Sequence, residues 1–227
     1  MNKRLLIIAG VLIVIAIGLF VASKYVFNKS NVTPAATQTT TPQPVANSTV
    51  TPVAFPLSDA DVAALESQGS KEYDFAFSKA KEWRNDCAPV AVVIKYAGSI
   101  DINNGKSTYV FLSPSLPDYY FTLTLDQAKN AKGENNYERV LNFKADYFLP
   151  QNSVVLPLKY WAINYVDALK KADDSGGKNI RSANKNYDVN LVLSEQQGGL
   201  LLWDVEYLVN GNKLYSTTFD AYQGKVQ

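Results

Sequence analysis

Eighteen consecutive apolar residues, Leu5 to Ala22, follow a basic start, Met1-Asn2-Lys3-Arg4. At about 1.5 Å per residue a helix of that length covers about 27 Å, close to the hydrocarbon thickness of a bilayer. The run is longer than the apolar core of a secretory signal and meets Ser23-Lys24-Tyr25 almost directly. Val21-Ala22-Ser23 is a mediocre cleavage site, so a retained signal anchor is expected rather than a cleaved peptide. No Cys lies near the end of the run, which excludes a lipoprotein anchor. Lys3, Arg4 and the amino terminus oppose Lys24 and Lys29, a small bias that places the N-terminus inside. The expected topology has a cytoplasmic stub and transmembrane anchor over residues 1–27, meeting the lipid bilayer from Leu5 to Ala22. An extracytoplasmic C-terminal domain in the cell envelope follows.

Residues 28–54 read as a disordered stalk. They are rich in Thr, Pro, Ala, Gln and Asn, hold four prolines, and carry no aromatic residue and no charge after Lys29. Such a segment cannot bury enough apolar surface to offset the entropy of ordering it. Its reach is about 30 to 80 Å. Asn28, Asn31 and Asn47 each open an N-x-Ser/Thr sequon, read here as ordinary linker polarity.

All 21 acidic residues lie beyond residue 55, with 18 of the 22 basic ones, so the remainder carries a net charge of −3. No basic stripe is visible, and nucleic-acid binding is discarded. Cys87 is the single cysteine, so no intramolecular disulfide can staple the exported part. Its stability must come from a hydrophobic core, for which about 170 residues suffice.

Apolar periodicity arranges that part into two similar runs. A helix starts at Ser58, as N-cap with Asp61 at N3, and a second helix covers residues 71–84, with Tyr73, Phe77, Ala80 and either Trp83 or Arg84 on one face. Three strands follow, at residues 89–98, 107–112 and 119–125, with Val90, Val92, Ile94 and Tyr96 sharing a face of the first. Asn104-Gly105 is expected to turn the first hairpin. Residues 129–137 read as a loop, and 139–150 are open between an extended segment and a surface loop. The pattern then returns, with a helix over 158–173 ended by Asp174-Ser175-Gly176-Gly177, and strands over 188–194, 200–209 and 213–219. Asn210-Gly211 supplies the last hairpin turn. The expected fold class is therefore α+β: two repeated units, each a helix plus a three-stranded antiparallel meander, with a period near 94 residues. Their bounds are 55–137 and 138–227. A single three-stranded sheet under one helix is marginal, so the units are expected to associate.

The ending carries a resemblance. Trp203-Asp204-Val205-Glu206-Tyr207, then Asn210-Gly211-Asn212-Lys213-Leu214-Tyr215, then Phe219-Asp220-Ala221-Tyr222-Gln223-Gly224-Lys225-Val226 resembles the close of PepSY-type domains, with Gln223 where Thr or Ser is usual. The match covers residues 158–226, and the first unit is a distant repeat. The resemblance implies an extracytoplasmic, non-enzymatic module linked to protease inhibition or to regulation of envelope partners. It brings no ligand-binding residues with it.

Residue chemistry agrees with a non-catalytic reading. Histidine is absent, which removes Ser-His-Asp and Cys-His catalysis and His-containing zinc patterns. Cys87 follows Asp86, whose charge opposes thiolate formation, so it reads as a half-buried structural residue. Ser78-x-x-Lys81 and Ser182-x-x-Lys185 match the Ser-x-x-Lys spacing of penicillin-recognising enzymes, but no Lys-Thr-Gly follows. Asp101-x-Asn103-x-Gly105-x-Ser107 lacks the Gly and Glu of a calcium loop and reads as a turn. Asp204 and Glu206 share a strand face, where solvated outer residues are the plainer reading than acid/base chemistry. Tyr119, Tyr120, Tyr215 and Tyr222 are expected to leave aromatic surface facing outward, which suits contact. The expectation is thus a membrane-anchored binding or regulatory module that meets an envelope protein or peptide, with no catalytic, cofactor or metal residues assigned. An envelope hydrolase using carboxylates and a structural surface protein stand as alternatives.

Overall fold

The computed structural model of the chain describes residues 53–134, 136–149, 153–196 and 199–227. The expected span from Leu5 to Ala22 and the stalk up to residue 52 lie outside them. Among the described residues no helix is long and apolar enough to cross a membrane. By contacts the chain divides into Met1–Val50 and Thr51–Gln227, and every described residue falls in the second.

One helix, α1 (Asp59–Trp83), replaces the two expected at the start. Ser58 caps it as expected: its hydroxyl accepts from the Asp61 amide at 3.1 Å, and Asp61 accepts from the Ser58 amide at 3.3 Å. Such a cap contributes about 1 kcal/mol. The helix runs through Ser67-Gln68-Gly69-Ser70 because its buried positions, Val62, Leu65, Ala76 and Ala80, hold both ends against the sheet. Ala76 and Ala80 are fully buried, and their small side chains bring the helix axis close to the strands.

The strands are β1 (Ala88–Tyr96), β2 (Gly105–Leu112), β3 (Tyr119–Asp126), β4 (Tyr137–Phe143), β5 (Asp188–Gln196), β6 (Leu200–Val209) and β7 (Asn212–Asp220). They form one antiparallel sheet in the order β4-β3-β2-β1-β5-β6-β7. The α+β class is therefore as expected. β1 pairs with β5 from Ala91↔Ser194 to Tyr96↔Val189, so all seven strands share one hydrogen-bonded layer. The stretch left open at 139–150 resolves into β4 and a following loop, and the expected boundary at 137/138 falls at the start of that strand. A register shift between Pro89 and Ala91 turns Val90 to the face opposite Val92, correcting the single-face expectation for β1.

Turn chemistry is met at one hairpin and missed at the other. Asn210 and Gly211 both take positive φ, at 51° and 75°, as a two-residue hairpin turn requires. Asn104 instead ends a 3-10 turn, Ile102–Asn104, and Gly105 starts β2 in extended backbone. A short helix, α2 (Gln127–Ala131), occupies part of the expected loop at 129–137. The helix expected at 158–173 begins later: a 3-10 turn, Leu158–Tyr160, precedes α3 (Tyr165–Ala172), which Asn164 caps by accepting from the Asp167 amide at 2.8 Å. The indole N–H groups of Trp161 and Trp203 both donate to the Ile163 carbonyl, at 3.1 and 2.8 Å, which fixes the approach to α3.

Asp173–Gly177 does not end this helix but forms a kinked wide turn leading into α4 (Lys178–Ala183). The two glycines are there for space. A Cβ on Gly177 would lie 2.3 Å from the Tyr207 ring, and one on Gly176 would lie 2.7 Å from the Tyr215 ring.

The main core lies between the helices and one sheet face, around Trp203, Tyr207, Phe111, Leu123, Leu169 and Leu191. Each large apolar side chain so buried contributes about 1.5–3 kcal/mol. A smaller core on the opposite face gathers Val90, Ala91, Val93, Val110, Tyr120 and Leu149. The chain after β4 crosses that face as a strap. Lys144 sits 5.0 Å over the Tyr120 ring, Tyr147 packs on Tyr120 at 5.5 Å, and the Leu156 amide donates to the Pro89 carbonyl at 2.9 Å.

Candidate interaction surfaces

The two edges of the sheet differ. On the β7 side, the C-terminal residues fold back: Phe219 bridges Val226, the Gln227 amide donates to the Thr218 carbonyl at 3.1 Å, and Asp220 donates to Lys225 at 2.9 Å. A register shift between Tyr207 and Leu208 distorts the other end of that edge. Bulges and folded-back chain both block strand addition.

The β4 edge has neither device. Its pairing with β3 is regular from Tyr119↔Phe143 to Leu125↔Tyr137. The Lys144 amide donates to the Asp118 carbonyl at 2.8 Å, so the even-numbered β4 residues bond to β3. Antiparallel alternation then turns the N–H and C=O groups of Tyr137, Arg139, Leu141 and Phe143 outward. Among the described residues no turn or loop bonds to the backbone of Tyr137, Arg139 or Leu141, whereas Phe143 is the N-cap of the 3-10 turn Lys144–Asp146, which engages its carbonyl. Val140, Leu141 and Phe143 are 41%, 47% and 46% exposed. Beside them Glu82, Trp83, Phe121, Arg139, Val140 and Leu141 line a shallow hollow of about 440 Å³. An unprotected edge strand with exposed apolar side chains is a template for another strand.

The outer sheet face over β5–β7 is a groove of about 980 Å³, walled by Phe148, Leu149, Ser153 and Val154 of the strap. Asn190, Glu206 and Ser216 cross its floor in one row, and Val192, Asp204 and Thr218 in the next. Asp204 accepts from the Thr218 hydroxyl at 2.6 Å, and Glu206 accepts from the Lys213 ammonium at 2.9 Å. Both expected carboxylates therefore lie on the outer face, each already engaged by a neighbour.

Glu72 is the feature that the sequence reading missed. It lies in the apolar stripe of α1, 2% exposed, and accepts from Tyr109 Oη at 3.2 Å and from the Asn130 amide nitrogen. Burial pushes its carboxyl above 4.5, against the opposing effect of hydrogen bonds from Asn130, Tyr109 and Ser107. Helical spacing from Leu65 was the signal available for it: position 72 falls on the buried face.

The remaining candidates have structural partners. Cys87 is 3% exposed, and burial raises its thiol, with Lys81 opposing and Asp86 adding to the shift. Ser78 donates to the Phe75 carbonyl, and Lys81 donates to the carbonyls of Asn85 and Cys87 at the end of α1. Ser182 donates to Lys178 within α4. Asp101 caps the 3-10 turn, accepting from the Asn103 amide at 2.8 Å. Tyr120, expected outward, is fully buried beneath the strap, whereas Tyr222 is exposed and meets Tyr160 edge-on at 6.0 Å. Among the described residues no group of three or more His, Cys, Asp or Glu is placed to hold a metal. No family model, curated protein or solved structure matches the chain.

Proposed function

We propose that this chain is a membrane-anchored, extracytoplasmic binding module of the cell envelope. In this reading it acts without catalysis, by adding an extended segment of a protein partner to the β4 edge. The observation that carries the reading is the regular β4 strand with Val140, Leu141 and Phe143 exposed, in a sheet whose other edge is bulged at one end and covered by the returning C-terminus at the other. Main-chain hydrogen bonds would supply affinity, and the hollow beside Trp83 would select an apolar side chain.

The finer organisation is part of the same proposal. Two PepSY-like units, related by duplication, would account for a helix before β1–β3 and another before β5–β7, with the first strands of each unit adjacent at the sheet centre. The PepSY-like ending is supported by the turn after β7. There Asp220 accepts from the amides of Tyr222 and Gln223, and Gly224 takes φ of 66°. The anchor from Leu5 to Ala22 would hold the module at the bilayer.

The test is partner capture by the full chain in detergent, immobilised and exposed to solubilised envelope. Retention of an envelope protein or peptide that falls at least ten-fold with Leu141→Lys is the expected result. Retention unchanged by that substitution would remove the edge from the account.

A hydrolase is the second reading, favoured by Asp204 and Glu206 lying together on the groove floor. Against it, Glu206 faces a lysine ammonium and is over a third exposed, whereas a general acid needs a site that keeps its proton. Turnover of a glycan substrate lost in both Asp204→Asn and Glu206→Gln would establish it.

A further inference from the structure

We infer that the strand received by the β4 edge is β4 of a second copy of this chain, giving a two-fold dimer with one continuous fourteen-stranded sheet. The inference rests on the edge-binding reading and names its partner.

Self-complementarity carries it. Backbone groups of Tyr137, Arg139, Leu141 and Phe143 face outward, so an antiparallel mate must set odd positions opposite odd positions. Three registers meet that condition with substantial overlap. Centring on Arg139 places two guanidinium groups directly opposite each other, which is destabilising, and leaves Phe143 unmatched. Centring on Leu141 leaves Tyr137 without a partner in the opposing strand. Centring on Val140 pairs all seven residues. Tyr137 then faces Phe143 of the second copy, Arg139 faces Leu141, Glu138 faces Asn142, and Val140 meets its own equivalent. No like charges stand directly opposite, an aromatic pair closes each end, and up to six backbone hydrogen bonds form, the Phe143 carbonyls being taken by their own 3-10 turns.

The symmetry suits a common bilayer. The two-fold axis stands perpendicular to the sheet, so both helix layers lie on one side. Val53, the first described residue, is on that side, its carbonyl accepting from Arg181 of α4 at 3.4 Å. Val53 of both copies therefore lies on the same side of the joined sheet. A single edge pairing buries little area by the standard of stable dimers. Confinement of two anchored copies to one membrane raises their effective concentration, and the dimer is expected to be more fully populated there than in detergent.

Cysteine placement reads the register. Cys87 is buried, so a thiol introduced on β4 is the reactive one. In lipid vesicles holding the full chain, mild oxidation of Val140→Cys is expected to yield disulfide-linked dimer. That yield should exceed those of Arg139→Cys and Leu141→Cys by about ten-fold, since only position 140 meets itself across the axis. Adding Leu141→Lys, which sets an ammonium opposite Arg139 of the second copy, is expected to suppress the crosslink. Equal yields at all three positions, or none at any, would overturn the dimer. If the crosslink fails while Leu141→Lys still abolishes capture of an envelope protein, the edge takes a foreign strand. If Leu141→Lys changes neither, the edge reading falls as well.

Discussion

Glu72 shows how one residue can set the pH response of the fold. Its carboxyl is held above 4.5 by burial beside Tyr109, Tyr96 and Tyr165, with no ion-pair partner among the described residues. The unfolded chain loses this proton near 4.5, whereas the folded chain keeps it to a higher pH. Stability from this group is thus complete below 4.5 and declines as pH rises toward the folded value. Glu72→Gln retains the shape without the titration, so its melting temperature is expected to gain on the parent as pH climbs from about 4.5 to about 7. A gap that does not change with pH would show that the carboxylate is stabilised in the fold.

The pair of Arg181 and Asp173 shows how one buried charge depends on its partner. Two contacts at 2.6 and 2.7 Å join side chains that are 7% and 4% exposed, and Tyr207 adds a long hydrogen bond to the same carboxylate. Arg181→Ala leaves a buried charge unpaired and is expected to cost about 3–5 kcal/mol in chemical unfolding. A cost below about 1 kcal/mol, the range of exposed ion pairs, would contradict the burial.

At the scale of elements, α1 is held by its ends more than by its middle. Gly69 is in helical backbone, and nothing lies within 4 Å of the Cβ it lacks. Gly69→Ala is therefore expected to stabilise the protein by about 0.5–1 kcal/mol, read as a higher denaturant midpoint with unchanged slope. A loss of stability would mean that the helix bends there. The same glycine explains why one helix reads as two in sequence: local propensity falls at 67–70, while anchoring by Leu65 and Ala76 is tertiary. Strand alternation was legible wherever one face is buried, as in β6, where Leu201, Trp203, Val205 and Tyr207 point inward. β4 was not legible, because an edge strand with exposed apolar residues on both faces shows no contrast between its sides. Tyr120 was misread for a related reason: the strap that buries it comes from 24 or more residues further on and leaves no local trace. At Gly176 and Gly177 the sequence shows a helix end, but the residues that need the space, Tyr215 and Tyr207, are distant in the chain.

At the scale of the molecule, the asymmetry of the sheet is what connects fold to proposed function. One edge is bulged at one end and covered at the other by the returning C-terminus, and the other edge is left regular with Val140, Leu141 and Phe143 exposed. Helices fill one face, and a strap with a polar groove occupies the other. The direct test is amide hydrogen exchange along β4 with the full chain in lipid vesicles and then dispersed in detergent. The amides of Val140 and Asn142 bond to β3 and should exchange slowly in both. If the proposed edge pairing holds, those of Arg139, Leu141 and Phe143 are slow in vesicles and at least ten-fold faster once the chains are separated. Fast exchange of these three amides under both conditions would contradict an occupied β4 edge.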